Sequence, residues 1–387
     1  MQKVTILGCG VVGAAIAYEL SRQPDFQITV IDRNMPAQGS TGAALGVLMG
    51  VVSSKTKGRA WQLRQTSLQR YETLIPELEA MTGLRIPYNR QGLVLLATSL
   101  GDMEKWAILA EVRKSQGWDL NLWQPETLGQ RCPQINLEED EVLAEDSRNP
   151  HPSPLPDREK GQEKSASWGA VYSPGDRQID PVALTTTLVA AAQKNGVEFH
   201  FGVNPALYGA RGLSPLSVLQ ELETGDADWL ILATGLGTTE LTNTIGTPVD
   251  IRPVLGQAIQ IEMPYVLGDP TFQPVISRND IHVVPLANHH YWIGATVEFA
   301  DAQGLVSGQT ELLETLRKEA IKFCPGLAEG KIVKTWSGLR PRPEGQPAPI
   351  IKKLPNHNQI ILATGHYRNG VLLAPATAIA VRELLHS

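Results

Sequence analysis

The N-terminal segment alternates between apolar runs and a cluster of glycines. Residues 4–7 are apolar and β-branched, which predicts a buried strand, and residues 14–21 have the composition of a helix. Residues 27–31 predict a second strand that ends at Asp32. Together with the glycine-rich turn at 8–13, this pattern predicts a strand–turn–helix–strand unit of about 30 residues.

Farther along the chain, helix and strand patterns alternate in some regions, while strands follow one another in the blocks between. Residues 58–81 predict a long amphipathic helix that ends at Gly83, and Asp180 with Pro181 predicts a helix start. The remaining main segments are a strand at 228–233, short strands within 251–297, a helix at 310–323, a strand at 359–363, a loop at 365–370 and a helix at 375–385. We expect an α/β fold in which a doubly wound, Rossmann-like domain is interleaved with an antiparallel-sheet α+β domain.

Residues 147–167 differ from the rest of the chain. Four prolines (Pro150, Pro152, Pro154 and Pro156) precede a charged stretch at 157–164. This composition predicts a mobile surface loop. The loop either binds a partner or has no role of its own.

Composition and charge exclude some classes of protein. The 387 residues contain 34 Lys and Arg against 40 Asp and Glu, giving a net charge of −6. This balance argues against nucleic acid as a partner, since a phosphate backbone is bound by clustered positive charge. The three cysteines are too few and too scattered for a disulfide framework or a zinc site. No apolar run after the N-terminal unit is long enough to span a bilayer, so we expect a soluble, cytoplasmic protein.

The glycine turn carries the first sign of chemistry. Gly8, Gly10 and Gly13 form a GxGxxG pattern, and Asp32 follows Gly13 by 19 residues. In such a turn the glycines permit a tight bend, close approach of a pyrophosphate and close helix–strand packing, while the acidic residue accepts hydrogen bonds from a ribose. The alternative is a tight turn that binds no ligand.

Two further segments suggest a flat cofactor. Residues 39–47 are small and would allow the backbone to lie beneath a ring system. The five residues Ile-Leu-Ala-Thr-Gly occur twice, at 231–235 and 361–365. Either two strand ends approach one dinucleotide from distant parts of the chain, or the repeat of a buried strand is a coincidence.

Four segments give the sequence a family resemblance: the glycine turn, the Ser-Thr-Gly-Ala-Ala at 40–44, the Trp-Ser-Gly-Leu-Arg-Pro at 336–341, and residues 363–375. In this order they resemble the flavin-dependent amine oxidases of the D-amino-acid oxidase type, in particular the glycine-oxidising members that serve thiamin biosynthesis. The resemblance implies a non-covalent FAD, because no cysteine lies between Cys324 and the C-terminus. It also implies an FAD-binding domain at 1–84, 146–245 and 333–387, and a substrate-binding domain at 85–145 and 246–332.

The resemblance assigns cofactor contacts position by position. The implied FAD-binding residues are Gly8, Gly10, Val11, Val12, Gly13, Asp32, Arg33, Ser40, Thr41, Leu45, Gly46, Val47, Gly235, Gly365, His366, Tyr367, Arg368, Asn369, Gly370, Val371 and Leu372. The first five are placed at the pyrophosphate, Asp32 and Arg33 at the adenosine ribose, and the loop 366–372 along the flavin ring.

Three residues are candidates on the substrate side. Arg340 resembles the arginine that holds the substrate carboxylate, and its forked guanidinium suits that role; the alternative is a surface arginine in a proline-rich turn. Arg368 resembles a second substrate-side residue, although an arginine in a glycine-flanked loop is as often merely exposed. His282 occupies a position where glycine-oxidising members often have tyrosine, which leaves substrate identity open; it could also be a hydrogen-bonded histidine of a sheet.

The function implied by the resemblance is oxidative deamination of a small amino or imino acid, such as glycine, sarcosine or a small D-amino acid. The products would be a 2-oxo acid and hydrogen peroxide, with oxygen as electron acceptor. Two alternatives stay open: a dehydrogenase of the same fold that passes electrons to a quinone, and a flavin-binding protein that oxidises no amine. The subunit number is open, and a homo-oligomer is compatible with the sequence.

Overall fold

The N-terminal unit has the predicted order. The computed structural model describes residues 1–136, 169–202, 226–301 and 306–387. Its first strand is Gln2–Leu7, followed by a helix at Val11–Ser21 and a second strand at Phe26–Asp32. The predicted loop at 147–167 lies outside the described residues.

The described strands are numbered in chain order. They are β1 (Gln2–Leu7), β2 (Phe26–Asp32), β3 (Val47–Leu48), β4 (Tyr88–Asn89), β5 (Leu93–Leu96), β6 (Asn121–Trp123), β7 (Ala170–Ser173), β8 (Arg177–Ile179), β9 (Glu198–Phe201), β10 (Trp229–Leu232), β11 (Ile251–Glu262), β12 (Val275–Arg278), β13 (Ile281–Pro285), β14 (His290–Gly294), β15 (Lys331–Pro343), β16 (Ile350–Leu354) and β17 (His357–Thr364).

The described α-helices are numbered likewise. They are α1 (Val11–Ser21), α2 (Gly58–Thr82), α3 (Leu100–Ser115), α4 (Pro125–Arg131), α5 (Pro181–Lys194), α6 (Thr238–Thr244), α7 (Thr310–Phe323) and α8 (Gly370–Leu385). Short 3-10 turns occur at Gly235–Gly237, Pro325–Glu329 and Tyr367–Asn369. None of the helices in the described ranges is long and apolar enough to cross a membrane.

The first sheet has six strands in the order β16-β17-β10-β1-β2-β9, all parallel except for the β16–β17 pair. Successive side chains of its inner strands pack alternately into two hydrophobic cores, one on each face of the sheet. Ile6, Val30 and Ile231 belong to the core on the side of α1, whereas Leu7 and Leu232 belong to the core on the side of α6. Burial of both faces explains the continuous apolar runs in the sequence and is typical of a doubly wound sheet.

The second large sheet has eight strands in the order β15-β11-β14-β13-β12-β5-β7-β6, and only β5 and β12 pair in parallel. A small third sheet has the order β3-β8-β4, and both of its strand pairs are antiparallel. The mixed α/β fold class is therefore confirmed. The domain boundaries stay a prediction, and β7, which lies in the segment 146–245 assigned to the FAD-binding domain, pairs within the eight-stranded sheet.

One prediction of an element boundary is wrong. We expected the last helix to begin at Pro375, but it begins at Gly370 and contains that proline. Proline has no N–H to donate to the carbonyl four residues earlier, which here belongs to Val371. The buried hydroxyl of Tyr71 donates to that carbonyl instead. A partner from α2 thus allows α8 to start one turn earlier than the sequence pattern indicates.

Candidate active site

A cavity of about 560 Å³ opens at the carboxyl ends of the parallel strands. Its walls include the turns after β1 and β10, the end of β17, and residues from β11, β13 and β15 of the eight-stranded sheet. In open α/β sheets, ligands bind outside the carboxyl ends of the strands. The cavity therefore combines this usual binding edge with a wall that the other sheet supplies.

Most of the predicted cofactor-binding residues line this cavity. They are Gly8, Gly10, Val11, Val12, Asp32, Arg33, Ser40, Thr41, Leu45, Gly46, Val47, Gly235, Gly365, His366, Tyr367, Arg368, Gly370, Val371 and Leu372. Gly13 and Asn369 are not part of the lining. The three substrate-side candidates, Arg340, Arg368 and His282, do line it.

The glycine turn has the geometry that its pattern predicts. Gly8 has a φ of +98°, and a Cβ there would lie 2.5 Å from the Ala233 carbonyl oxygen. A Cβ on Gly13 would lie 1.9 Å from the Gly8 carbonyl oxygen, so this glycine permits close packing of helix and turn without reaching the cavity. Gly10 lines the cavity together with Gly8, and the nearest atom to a Cβ on Gly10 would be the hydroxyl oxygen of Thr41 at 3.1 Å.

Asp32 fixes the turn to the end of β2. One carboxylate oxygen accepts from the Cys9 N–H at 2.6 Å, and the other accepts from the Asn34 N–H at 2.9 Å. The side chain also lines the cavity. Its predicted contact with a ribose stays a prediction, while its hydrogen bonds show that it shapes the glycine turn.

The two Ile-Leu-Ala-Thr-Gly segments lie side by side. Ile231 pairs with Ile361 in the parallel register of β10 and β17, so the repeats end at the same edge of the sheet. Hydroxyl contacts connect Thr234 to Thr238 at 3.0 Å and Thr238 to Thr364 at 2.9 Å. Both ends of the repeat face the cavity, which supports the reading that they meet one ligand.

The segment 39–47 connects the cavity to β15. The Ser40 hydroxyl donates to the Leu339 carbonyl at 2.5 Å, and the Trp336 indole N–H donates to the Ala43 carbonyl at 3.1 Å. A Cβ on Gly338 would lie 2.2 Å from the Cβ of Ala43, so only glycine allows this approach. The small residues of the segment are thus needed for contact between chain segments as well as for space in the cavity.

The loop after β17 leads directly into a helix end. His366 is buried and its Nε2 lies 2.9 Å from the Thr377 hydroxyl, which anchors the loop to α8. Burial lowers the pKa of His366 to about 4. The α8 residues Gly370, Val371 and Leu372 line the cavity, so the partial positive charge of a helix N-terminus faces it.

Arg340 lies in the wall that β15 contributes. Its Nη1 donates to the carbonyls of Leu255 and Thr296, both at 3.0 Å. Within the described part of the chain, no carboxylate lies within 4.0 Å of its guanidinium. Burial is the main cause that lowers its pKa. Arg340 is therefore a half-buried cation held by neutral groups in the wall of a cavity, rather than an exposed arginine of a proline-rich turn.

Arg368 has a different environment. Its Nη1 and Nη2 each donate to one carboxylate oxygen of Asp280, both at 3.1 Å. This two-point ion pair is the main cause that lowers the pKa of Asp280. Both arginines line the cavity, but of these two it is Arg340 that has no acidic partner in the part of the chain that the structure describes.

His282 is buried in β13 and lines the cavity beside the two arginines. Its Nδ1 lies 2.9 Å from the hydroxyl of Ser277 on the neighbouring strand β12. Burial, followed by the charge of Arg368, lowers its pKa to about 4. At neutral pH this side chain is therefore an uncharged imidazole.

Sequence reasoning missed two residues that lie against the arginines of this wall. Gly256 on β11 lines the cavity, and a Cβ there would lie 2.2 Å from Nη2 of Arg340. The second is Asp280, which does not line the cavity but bonds Arg368, and the Asn279-Asp280 pair is the signal that could have marked it. Such a pair is typical of the tight turn of a hairpin.

The walls of the cavity fit a dinucleotide that carries a flavin. Neither N-cap residue, Gly10 or Asn369, caps its helix with a side chain, and neither first turn contains an acidic residue, although the Val11 N–H of α1 donates to the Thr41 hydroxyl at 3.1 Å. The positive end of α1 suits a pyrophosphate, and that of α8 suits an electron-rich edge of a ring. A cavity of this kind, with an arginine in the wall opposite the two helix ends, is typical of a dinucleotide-dependent enzyme.

Comparison with known proteins identifies the family. Residues 3–384 match the family model described as FAD dependent oxidoreductase, DAO, and the chain belongs to that family. It is 30% identical over 99% of its length to the bifunctional protein ThiO/ThiG of Synechocystis, of which it spans 51%, or about half. It is also 27% identical to the glycine oxidase of Geobacillus kaustophilus, covering 99% of this chain and 92% of that one.

Solved structures agree in fold. The crystal structure of the glycine oxidase from Geobacillus kaustophilus has a TM-score of 0.76 and 22% identity, covering 100% of this chain and 95% of that chain. The L-proline dehydrogenase from P. horikoshii also has a TM-score of 0.76, with 17% identity over 99% and 93% of the two chains. The predicted family, the FAD cofactor and the assignment as an oxidoreductase are confirmed.

Proposed function

We propose that this enzyme oxidatively deaminates a small amino or imino acid, such as glycine, sarcosine or a small D-amino acid. The observation that carries the proposal is Arg340, a half-buried guanidinium in the cavity wall without an acidic partner among the described residues. A forked cation in such a place binds a carboxylate at two points. The family match supports the redox part of the reaction.

Each residue of the far wall has a separate task in this proposal. Arg340 binds the substrate carboxylate and so fixes the orientation of the Cα–H bond. Holding a reacting bond in the correct orientation lowers the activation free energy. His282 is neutral and offers the amine a hydrogen-bonding partner without repelling it. FAD, when bound, accepts the two electrons that leave the substrate. The sheet and loop residues around these groups exclude water.

Substrate and electron acceptor belong to the proposal. The similar proteins include glycine oxidases and, among solved structures, an iminodiacetate oxidase and an L-proline dehydrogenase. We propose oxygen as acceptor and hydrogen peroxide as product, with a quinone as the alternative. The role in thiamin biosynthesis, the cytoplasmic location and the homo-oligomer stay predictions.

The test uses purified protein loaded with FAD. Glycine, sarcosine and D-alanine are added without oxygen, and flavin absorbance is followed; then air is admitted and peroxide is measured per mole of amine consumed. Arg340→Ala should lower kcat/KM by about a hundredfold or more, while FAD content stays unchanged. Arg342→Ala is the matched control, because Arg342 lies on the same strand but pairs with Glu344 outside the cavity.

Three results would contradict the proposal. If none of the amino acids bleaches the flavin, amine oxidation is excluded for this class of substrate. If bleaching occurs but peroxide does not form, the dehydrogenase reading replaces the oxidase. If Arg340→Ala and Arg342→Ala behave alike, Arg340 does not bind the carboxylate.

A further inference from the structure

We propose that Asp280 determines substrate specificity by pairing with Arg368, the second of the two substrate-side arginines, so that only amino acids with a single carboxylate bind well. The inference rests on the proposed function and names the substrate class of the same site. It follows from the different partners of Arg340 and Arg368, which line one cavity.

The charge balance at the far wall supports this inference. Arg340 has neutral carbonyl partners, whereas both terminal nitrogens of Arg368 are bonded to Asp280. Glu298 is buried nearby, but it accepts from Gln257 and from a backbone N–H, and it does not line the cavity. Among the described residues, Arg340 is therefore the one substrate-side cation without an acidic partner, which matches one carboxylate; Arg33, the third arginine of the lining, lies in the part of the cavity predicted for the adenosine ribose.

The backbone fixes Asp280 in position for this contact. Arg278 and Ile281 are paired across β12 and β13, so Asn279 and Asp280 form a two-residue hairpin loop. Their φ values of +48° and +64° are those of a primed turn, which asparagine and aspartate tolerate well. From this turn the Asp280 carboxylate reaches the Arg368 guanidinium of the cavity wall at two points.

A dicarboxylate needs a second cation for its distal carboxylate. Arg368 is the nearest candidate, but its hydrogen-bonding edge is already taken by Asp280. Asp280→Asn replaces the carboxylate of Asp280 by an amide. It removes a negative charge that repels the second carboxylate of the ligand, and it frees N–H donors of the Arg368 guanidinium. The exposed fraction of the Asp280 side chain is 65% and that of Arg368 is 33%. A ligand can therefore reach both side chains without any unfolding of the protein.

The test measures binding as well as turnover. Holoenzyme is titrated with acetate and with malonate, and the dissociation constants are read from the change in flavin absorbance; turnover of glycine is then compared with that of iminodiacetate and D-aspartate. Asp280→Asn should shift the malonate-to-acetate preference by about tenfold toward malonate, the size of one charge-assisted hydrogen bond. Turnover should shift toward the dicarboxylic amino acids in the same direction.

Two further variants separate specificity from turn stability. Asp280→Glu keeps the charge and should keep the preference for acetate. Asp250→Asn is the matched control, because Asp250 also pairs with an arginine, Arg252, but away from the cavity. An unchanged malonate-to-acetate ratio in folded Asp280→Asn overturns the inference, and so does a preference for malonate in the unaltered enzyme. If neither acid perturbs the flavin of the unaltered enzyme, the proposed function itself fails.

Discussion

Replacing Gly256 tests the proposed role of Arg340 directly, because it changes the position of the guanidinium without removing its charge. It lies on β11, two positions from Val254, which is the register partner of Arg340 on β15. Residues in this diagonal relation can contact one another through long side chains. The Arg340 guanidinium occupies the space above Gly256, and a Cβ there would lie 2.2 Å from Nη2 and 2.4 Å from the central carbon.

The Gly256→Ala variant should therefore displace the guanidinium while leaving the strand intact. A Cβ and a nitrogen rarely approach closer than 3.4 Å, so the fork must move by about 1 Å. A misplacement of about 1 Å in a positioning group can cost a hundredfold in rate. We expect kcat/KM for glycine and the affinity for acetate to fall by about that factor, with FAD bound as before.

The assay compares Gly256→Ala with a control glycine in folded holoenzyme. Flavin absorbance gives both FAD content and the acetate dissociation constant, and anaerobic bleaching gives the rate with glycine. Gly129→Ala is the control, since no atom lies within 4 Å of the added carbon. The reasoning is refuted if Gly256→Ala binds acetate as tightly as the unaltered protein.

Two further predictions concern stability. Arg113 is fully buried on α3 and donates to the carbonyls of Val51, Ser53 and Lys55. Because Arg113→Met leaves these carbonyls without a donor, it should lower the free energy of unfolding, measured by urea titration, by about 3 kcal/mol. Lys105→Met on the same helix should not lower it. The pKa of His366 is lowered to about 4 from 6.5, so the unfolded chain binds more protons between these values and stability should fall as pH decreases from 6.5 to 4. His366→Gln should reduce that slope in thermal unfolding, and equal slopes would refute the assignment.

Much of the fold could be predicted because its signals are local. The apolar runs of the parallel strands are continuous since both faces of that sheet are buried, and the glycine turn has its chemistry within six residues, 8–13. The start of α8 could not be predicted in this way. It depends on the Tyr71 hydroxyl, which comes from a helix 300 positions earlier in the chain.

The candidate site divides along the same line. Most of the predicted cofactor-binding residues line the cavity. They could be recognised in the sequence because each family motif is a contiguous segment. The different roles of Arg340 and Arg368 could not be predicted, because they depend on partners from other strands. Asp280 lies 88 residues from Arg368, and the carbonyl of Leu255 lies 85 residues from Arg340.

The cofactor-facing and substrate-facing walls are parts of one hydrogen-bonded unit. Ser40, in the segment assigned to FAD, donates to the carbonyl of Leu339, which immediately precedes Arg340. Ala43 contacts the same strand at Gly338, and Leu45 lies against Gly294 of β14. Because these contacts require glycine on the eight-stranded sheet, the sequence of that sheet is constrained by a loop of the other region. The position of Arg340 relative to the segment 39–47 is therefore set by contacts between the two regions rather than by either region alone.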